Sequence, residues 1–148
     1  MLDTSSRSIF LPEHEQFRDQ VRRFVAREFT PNLEAFEQAG VTSREFWRKT
    51  GEMGFLCPGV PEAYGGLGLD FIFNAVVNEE LSYACASDCI LLQSDVTLPY
   101  ILHYGSEEQK SHWLPKMVQG EVITAIAMTE PGAGSDLQGV RTNAVSDG

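Results

Sequence analysis

A chain of 148 residues, 43% of them hydrophobic, can bury a sizeable core as mainly one domain. Its formal charge of −10 excludes a nucleic-acid binder, because a phosphate backbone calls for a basic surface, and the acidity is read as solubility. No apolar run of about 18 residues exists, so no membrane span is expected, and the start of the chain has no apolar signal core and carries Asp3, against secretion or an uncleaved transit peptide.

Pro12 opens a helix whose apolar positions Phe17, Val21, Phe24, Val25 and Phe29 fall on one stripe, and which stops before Pro31. On the same helix Arg18, Arg22, Arg23 and Arg27 are expected mostly on the outer, solvated face. A short helical piece over 32–38 ends at Gly40. Thr42 and Glu45 form a capping-box pattern for a helix holding Phe46 and Trp47, which ends near Gly51 to Gly54. The prolines and glycines of 57–70 make that stretch loop, and Tyr64-Gly65-Gly66-Leu67-Gly68 reads as structural loop and not as a ligand cradle, since its glycines follow no strand. Asp70 is the expected N-cap of a long helix to about Ala86, with Ile72, Val76, Leu81 and Ala84 mostly inward. Another helix covers about 88–104, closed by Gly105, with Pro99 expected to kink or break it. Ser106 and Gln109 make a second capping box for a helix running past Pro115 to Gly120.

Only then does the pattern turn to strands, over 122–128 and 140–145. The fold class is therefore mainly α: an N-terminal helical domain over 1–120, then the first strands of a truncated β-domain over 121–148, since two strands alone do not make a stable sheet. Cys57, Cys85 and Cys89 leave an odd thiol in any pairing, and Cys85 and Cys89 read as small helix-packing residues of a reducing compartment. His14, His103 and His112 show no ligand spacing with them, so no metal site is expected.

The most informative stretch is Ile126-Ala127-Met128-Thr129-Glu130-Pro131-Gly132-Ala133-Gly134-Ser135-Asp136. A nearly all-apolar strand, expected to be buried on both faces, feeds a turn of the smallest side chains, with hydroxyls at Thr129 and Ser135. Such a loop lets a flat or phosphorylated ligand approach the backbone and offers neutral donors. It is neither a Walker loop nor a dinucleotide fingerprint, because no Lys follows, the third glycine is missing, and a strand comes next. Glu130 and Asp136 are read as structural and not catalytic, Asp136 closing a turn on its own backbone.

The block Met128-Thr129-Glu130-Pro131-Gly132-Ala133-Gly134-Ser135-Asp136-Leu137-Gln138-Gly139 resembles the first signature of the acyl-CoA dehydrogenase family of flavoenzymes. Val60-Pro61-Glu62-Ala63-Tyr64-Gly65-Gly66-Leu67-Gly68-Leu69-Asp70 and Gly105-Ser106-Glu107-Glu108-Gln109-Lys110, continuing to Trp113-Leu114-Pro115-Lys116, match the same family in the same order. The nearest look-alikes are long-chain members, on Ala125-Ile126-Ala127-Met128 before the signature and Asp136 to Ala144 after it.

This resemblance implies a helical domain, a middle β-domain and a C-terminal helical domain, of which the chain holds the first and the beginning of the second. It implies α,β-dehydrogenation of an acyl-CoA thioester with FAD as cofactor, an electron-transfer flavoprotein as acceptor, and a homotetramer in the cytoplasm, or in the mitochondrial matrix if eukaryotic. Residues 126–135 would pack along the flavin, Thr129 would donate to its N1–O2 edge, and Ser135 would bind the CoA portion, the flavin phosphates, or both. Cys89, Leu92 and Val96 are candidates for acyl-tail contacts, their alternative being ordinary core. Long-chain relatives tend to carry proline and glycine where this chain has Asp88 and Cys89, a departure that bears on acyl length. The family's catalytic base lies in the C-terminal domain, so no catalytic residue is assigned here and the fragment alone should be inactive. Two rival readings stay open: an acyl-CoA oxidase, nitroalkane oxidase or flavin monooxygenase on the same scaffold, and a non-catalytic helical interaction module.

Overall fold

The computed structural model describes residues 7–85 and 90–146, and helix dominates it. Helix α1 (Pro12–Phe24) runs into a π-helical turn (Val25–Phe29) and a 3-10 turn (Thr30–Asn32) before α2 (Leu33–Ala39). Then come α3 (Arg44–Glu52), a loop with a 3-10 turn at Glu62–Tyr64, and α4 (Phe71–Tyr83). A second π turn (Leu92–Thr97) leads into α5 (Leu98–Tyr104), followed by α6 (Glu107–Val118). The apolar stripe of α1 is inward as expected: Val21, Phe24, Val25 and Phe29 are buried. Phe24 stacks on Phe46 at 5.8 Å and meets Phe55 edge-on at 5.4 Å, joining α1 to α3 and the loop behind it.

Both prolines act differently from a simple stop. The chain stays helical through Pro31, which sits in the first turn of the 3-10 segment, where its missing N–H would have no partner anyway. Pro99 likewise occupies the first turn of α5. Each is preceded by a widened π turn in which a threonine hydroxyl donates to the carbonyl five residues back: Thr30 Oγ1 to Val25 O and Thr97 Oγ1 to Leu92 O, both at 3.3 Å. A hydroxyl thus does part of the work that the interrupted ladder cannot.

Other ends follow local chemistry. Asp70 caps α4 by accepting the Ile72 N–H, and Ser106 with Gln109 forms the expected reciprocal box on α6. On α3 the cap is Ser43, which accepts the Phe46 N–H at 3.1 Å, and not Thr42. The Thr42 hydroxyl instead accepts the Trp47 Nε1–H at 2.9 Å, a partner that helix-start rules do not count. Helix α4 ends at Tyr83, short of Ala86, because Cys85 turns left-handed at φ 61.

Arg18 departs most from expectation. It is 1% exposed, on the face of α1 that packs along α4, with Nη1 2.7 Å from Glu79 Oε2 and 3.2 Å from Glu80 Oε1. Nε lies 3.3 Å from Glu15, the Phe10 ring covers the guanidinium at 4.5 Å, and Arg22 reaches Glu80 from the next turn at 3.0 Å. Only Arg23 and Arg27 of the four are exposed as a solvated face. The outward reading fails because the acidic pair Glu79 and Glu80 lies opposite on α4, and no rule local to α1 can see it.

The expected strands are not formed among the described residues. Residues 122–128 and 140–145 join no ladder, and Met128 is 45% exposed where burial on both faces was expected. A strand needs neighbouring strands to pair its backbone, and none is present among the described residues.

The glycine-rich loop is structural by its own bonding. Gly65, Gly66 and Gly68 donate their N–H groups to Glu62, Pro61 and Val60 carbonyls, so none of these three glycine N–H groups is left for a ligand. A Cβ on Gly66 would stand 2.0 Å from Val60 O, so only glycine lets the loop close. Gly66→Ala is expected to destabilise the protein by about 1–3 kcal/mol in denaturant titration through forced backbone movement.

Arg18→Met should cost about 1–3 kcal/mol in denaturant titration, because Glu79 and Glu80 lose their shared cation while Arg7 and Arg22 still pair with them. Burial would push the Glu79 carboxyl up, but the Arg7 and Arg18 guanidiniums outweigh it and hold it below its ordinary value of 4.5. A depressed carboxylate stabilises the fold above its ordinary pKa. Stability should therefore fall as pH drops below 4.5 and through the lowered value, and the acid unfolding of Glu79→Gln should lose that component.

Candidate functional site

After α6 the chain turns back at Gly120 and is pinned at Thr124, whose N–H donates to the Gln93 side-chain oxygen at 3.0 Å. From there residues 125–129 run to a four-residue turn closed from both sides: Glu130 N–H to Ala133 O at 2.9 Å and Ala133 N–H to Glu130 O at 3.1 Å. The turn is favoured because Pro131 presets its first corner. Ala133 is 4% exposed and faces Gly139, while Gly132 and Gly134 have open space where a Cβ would stand. Two N–H groups of the loop are therefore spent internally. Those of Thr129, Gly132, Gly134 and Ser135, with the Thr129 and Ser135 hydroxyls, find no acceptor among the described residues.

The two carboxylates of the loop are both engaged. Glu130 accepts the Thr142 N–H at 2.7 Å and the Arg141 N–H at 2.9 Å, tying the returning chain to the turn. Bonds from Thr142 and then Arg141 hold its carboxyl below the usual range, so it stays ionised near neutral pH and is a weaker base than an unbonded carboxylate. Asp136 accepts the Gln138 N–H at 3.2 Å, closing the 3-10 turn Leu137–Gly139. Neutral donors outward and charges turned onto backbone N–H groups make a surface suited to a flat, phosphate-bearing ligand. The residues present fit a flavin dinucleotide on that ground.

The acyl-tail candidates are spread out. Leu92 is half-buried and lines a hollow of about 760 Å³ with Phe29, Phe36, Trp47, Ile123 and Ala125. Val96 lines a different hollow of about 400 Å³, with Asp95, Pro99, Tyr100 and His103. Both sit in the π turn, whose wider pitch breaks the 3.6-residue spacing that would stack them on one face. Cys89 lies outside the described residues. Thr129 and Ser135 border neither hollow and are exposed.

Residues that sequence reasoning passed over do the positioning. Asp95 accepts the side-chain amides of Asn74 and Asn78, which stand four apart on α4 and so share a face. Gln93, fully buried, interrupts the apolar run Ile90-Leu91-Leu92, and a polar residue there was the available signal. Cys57 is buried with its thiol pushed up to about 12 by burial, which removes it as nucleophile or thiolate ligand. No helix among the described residues is long and apolar enough to cross a membrane.

Residues 11–121 match the family profile described as acyl-CoA dehydrogenase, N-terminal domain. The chain is 50% identical over its whole length to the mitochondrial long-chain specific acyl-CoA dehydrogenase of Sus scrofa, and spans 35% of that protein. It superposes on the crystal structure of an acyl-CoA dehydrogenase from Geobacillus kaustophilus with a TM-score of 0.90 and 52% identity, over 95% of this chain and 37% of that one. For an acyl-CoA dehydrogenase from Bacillus anthracis complexed with FAD, the TM-score is 0.85 and the identity 35%, over 91% of this chain and 24% of that one. The chain thus spans about a third of the length of the curated long-chain relatives it matches. A profile match across most of the sequence, together with the ordered signature blocks and the helical architecture, shows that this chain belongs to the acyl-CoA dehydrogenase family.

Proposed function

We propose that this chain is the N-terminal portion of a FAD-dependent acyl-CoA dehydrogenase acting on long acyl-CoA thioesters, with the boundary near residue 120 separating a helical domain from the start of a β-domain. The observation that carries the reading is the 129–135 loop, open at Gly132 and Gly134, with free neutral donors and both carboxylates engaged elsewhere. Bound flavin would supply a hydride acceptor for the β-carbon of the acyl chain. Thr129 then donates to the flavin's N1–O2 edge, where neutral donors favour the reduced form. Ser135 binds phosphate or CoA oxygens, and residues 126–128 lie against the ring system. Leu92, Val96 and Cys89 contact the acyl tail. Glu130 and Asp136 are both bonded to backbone N–H groups and are assigned structural roles, and the family resemblance puts the base elsewhere in the assembled enzyme, so these residues alone are inactive. An electron-transfer flavoprotein is the proposed acceptor, the assembly a homotetramer, and the compartment cytoplasm or mitochondrial matrix.

The enzyme carrying this chain should purify yellow, bleach anaerobically with a saturated long-chain acyl-CoA, and pass its electrons to an electron-transfer flavoprotein. A colourless protein that refuses FAD overturns the reading, and rapid reoxidation by oxygen turns it towards the oxidase or monooxygenase alternative.

The open glycines separate binding from folding. Gly134→Ala should leave the unfolding free energy within about 0.5 kcal/mol, since nothing lies within 4 Å of the added Cβ, while FAD uptake measured by absorbance is weakened. Thr129→Val should keep the fold and weaken FAD binding about tenfold through one lost hydrogen bond. It should also move the flavin midpoint potential to a more negative value.

A further inference from the structure

The geometry points to Gln93 as a positioning residue: its buried amide sets the register of the cofactor-facing segment against the helix that carries Leu92 and Val96. This rests on the flavin reading above. Gln93 is 0% exposed. Its Nε2 donates to Met117 O near the end of α6 at 3.0 Å, while its Oε1 accepts the Thr124 N–H at 3.0 Å. Thr97, from the same π turn, holds the Thr124 hydroxyl from the other side. Two pieces of backbone thus converge on one side chain that must donate in one direction and accept in the other. An apolar replacement orphans a buried carbonyl and an N–H. A carboxylate turns an acceptor onto the Met117 carbonyl.

The consequence reaches the loop because residues 125–129 have no ladder of their own. If they run extended against the flavin, a slip by a single residue at Thr124 shifts the segment about 3.3 Å and exchanges the side on which each side chain stands. Thr129, five positions on, would then turn from one face to the other. The π turn enables this latch by carrying Gln93 and Thr97 on one widened turn, both directed to Thr124.

The test is Gln93→Met in the whole flavoenzyme, a substitution of equal length without donor or acceptor. The Thr124 amide should exchange at least tenfold faster, the bound flavin's visible band and midpoint potential should shift, and kcat should fall more than KM rises. If that variant fails to fold, Thr124→Val keeps the backbone bond to Gln93 while losing only hydroxyl contacts, and should shift the same spectrum in the same direction by less. A lowered melting temperature with unchanged flavin spectrum and potential overturns the inference, because a merely structural residue behaves so, and leaves the flavin reading standing. Failure of the unsubstituted enzyme to take up FAD overturns the flavin reading, and the inference with it.

Discussion

A guanidinium taken out of water must bring its counter-charges with it, and the placement of Arg18 depends on that requirement. Its burial against Glu79 and Glu80 locks α1 to α4 at one register, since sliding either helix would leave a charge unpaired in a dry interface. The register of α4 then decides where Asn74 and Asn78 stand, and these hold Asp95 in the second π turn. That turn carries Gln93 and Thr97, which grip Thr124 at the root of segment 125–129. Electrostatics at one end of the domain is in this way connected through packed polar contacts to the loop at the other.

Helix existence and most helix ends were readable because they depend on neighbours in sequence. Asp70, Ser106 with Gln109, and Gly40 each act within a few residues of themselves. What escaped was decided by partners far along the chain. Arg18 looked like part of a solvated stripe until α4 came to face it. Thr42 looked like a cap until an indole N–H claimed its hydroxyl. Pro31 looked like a stop, but the chain remains helical on its far side behind a π turn bridged by a threonine hydroxyl, whereas the break expected at Pro99 falls where the second π turn gives way to α5. The two C-terminal strands are a different case. Their pattern is intrinsic, and their pairing depends on partner strands that the described residues do not supply.

The site itself was readable as chemistry and not as geometry. Small residues and hydroxyls announced a loop that a ligand could approach, but composition alone cannot tell an open glycine from a closed one. Gly66 and Gly134 have similar surroundings in sequence and opposite surroundings in space, one with a carbonyl where its Cβ would stand and the other with nothing. The likeness to flavoenzymes identified which loop mattered, and the structure supplies the physical reason: one glycine loop has spent its N–H groups on itself, and the other has kept several.

The arrangement of charge around that loop is the stronger constraint on what it can hold. An unengaged carboxylate about 4 Å from a phosphate oxygen would cost about 4 kcal/mol at the effective dielectric of a protein surface, whereas one neutral hydrogen bond returns about 1 kcal/mol. A loop with Glu130 and Asp136 loose beside Gly134 would therefore repel a diphosphate more strongly than its free N–H groups could attract it. Both acids instead bind backbone N–H groups of the returning chain, at residues 141 and 142 and at residue 138. Their charge thereby organises the loop and the chain returning to it. The same bonds hold the Glu130 carboxyl below the usual range, which makes it a weaker base than an unbonded carboxylate.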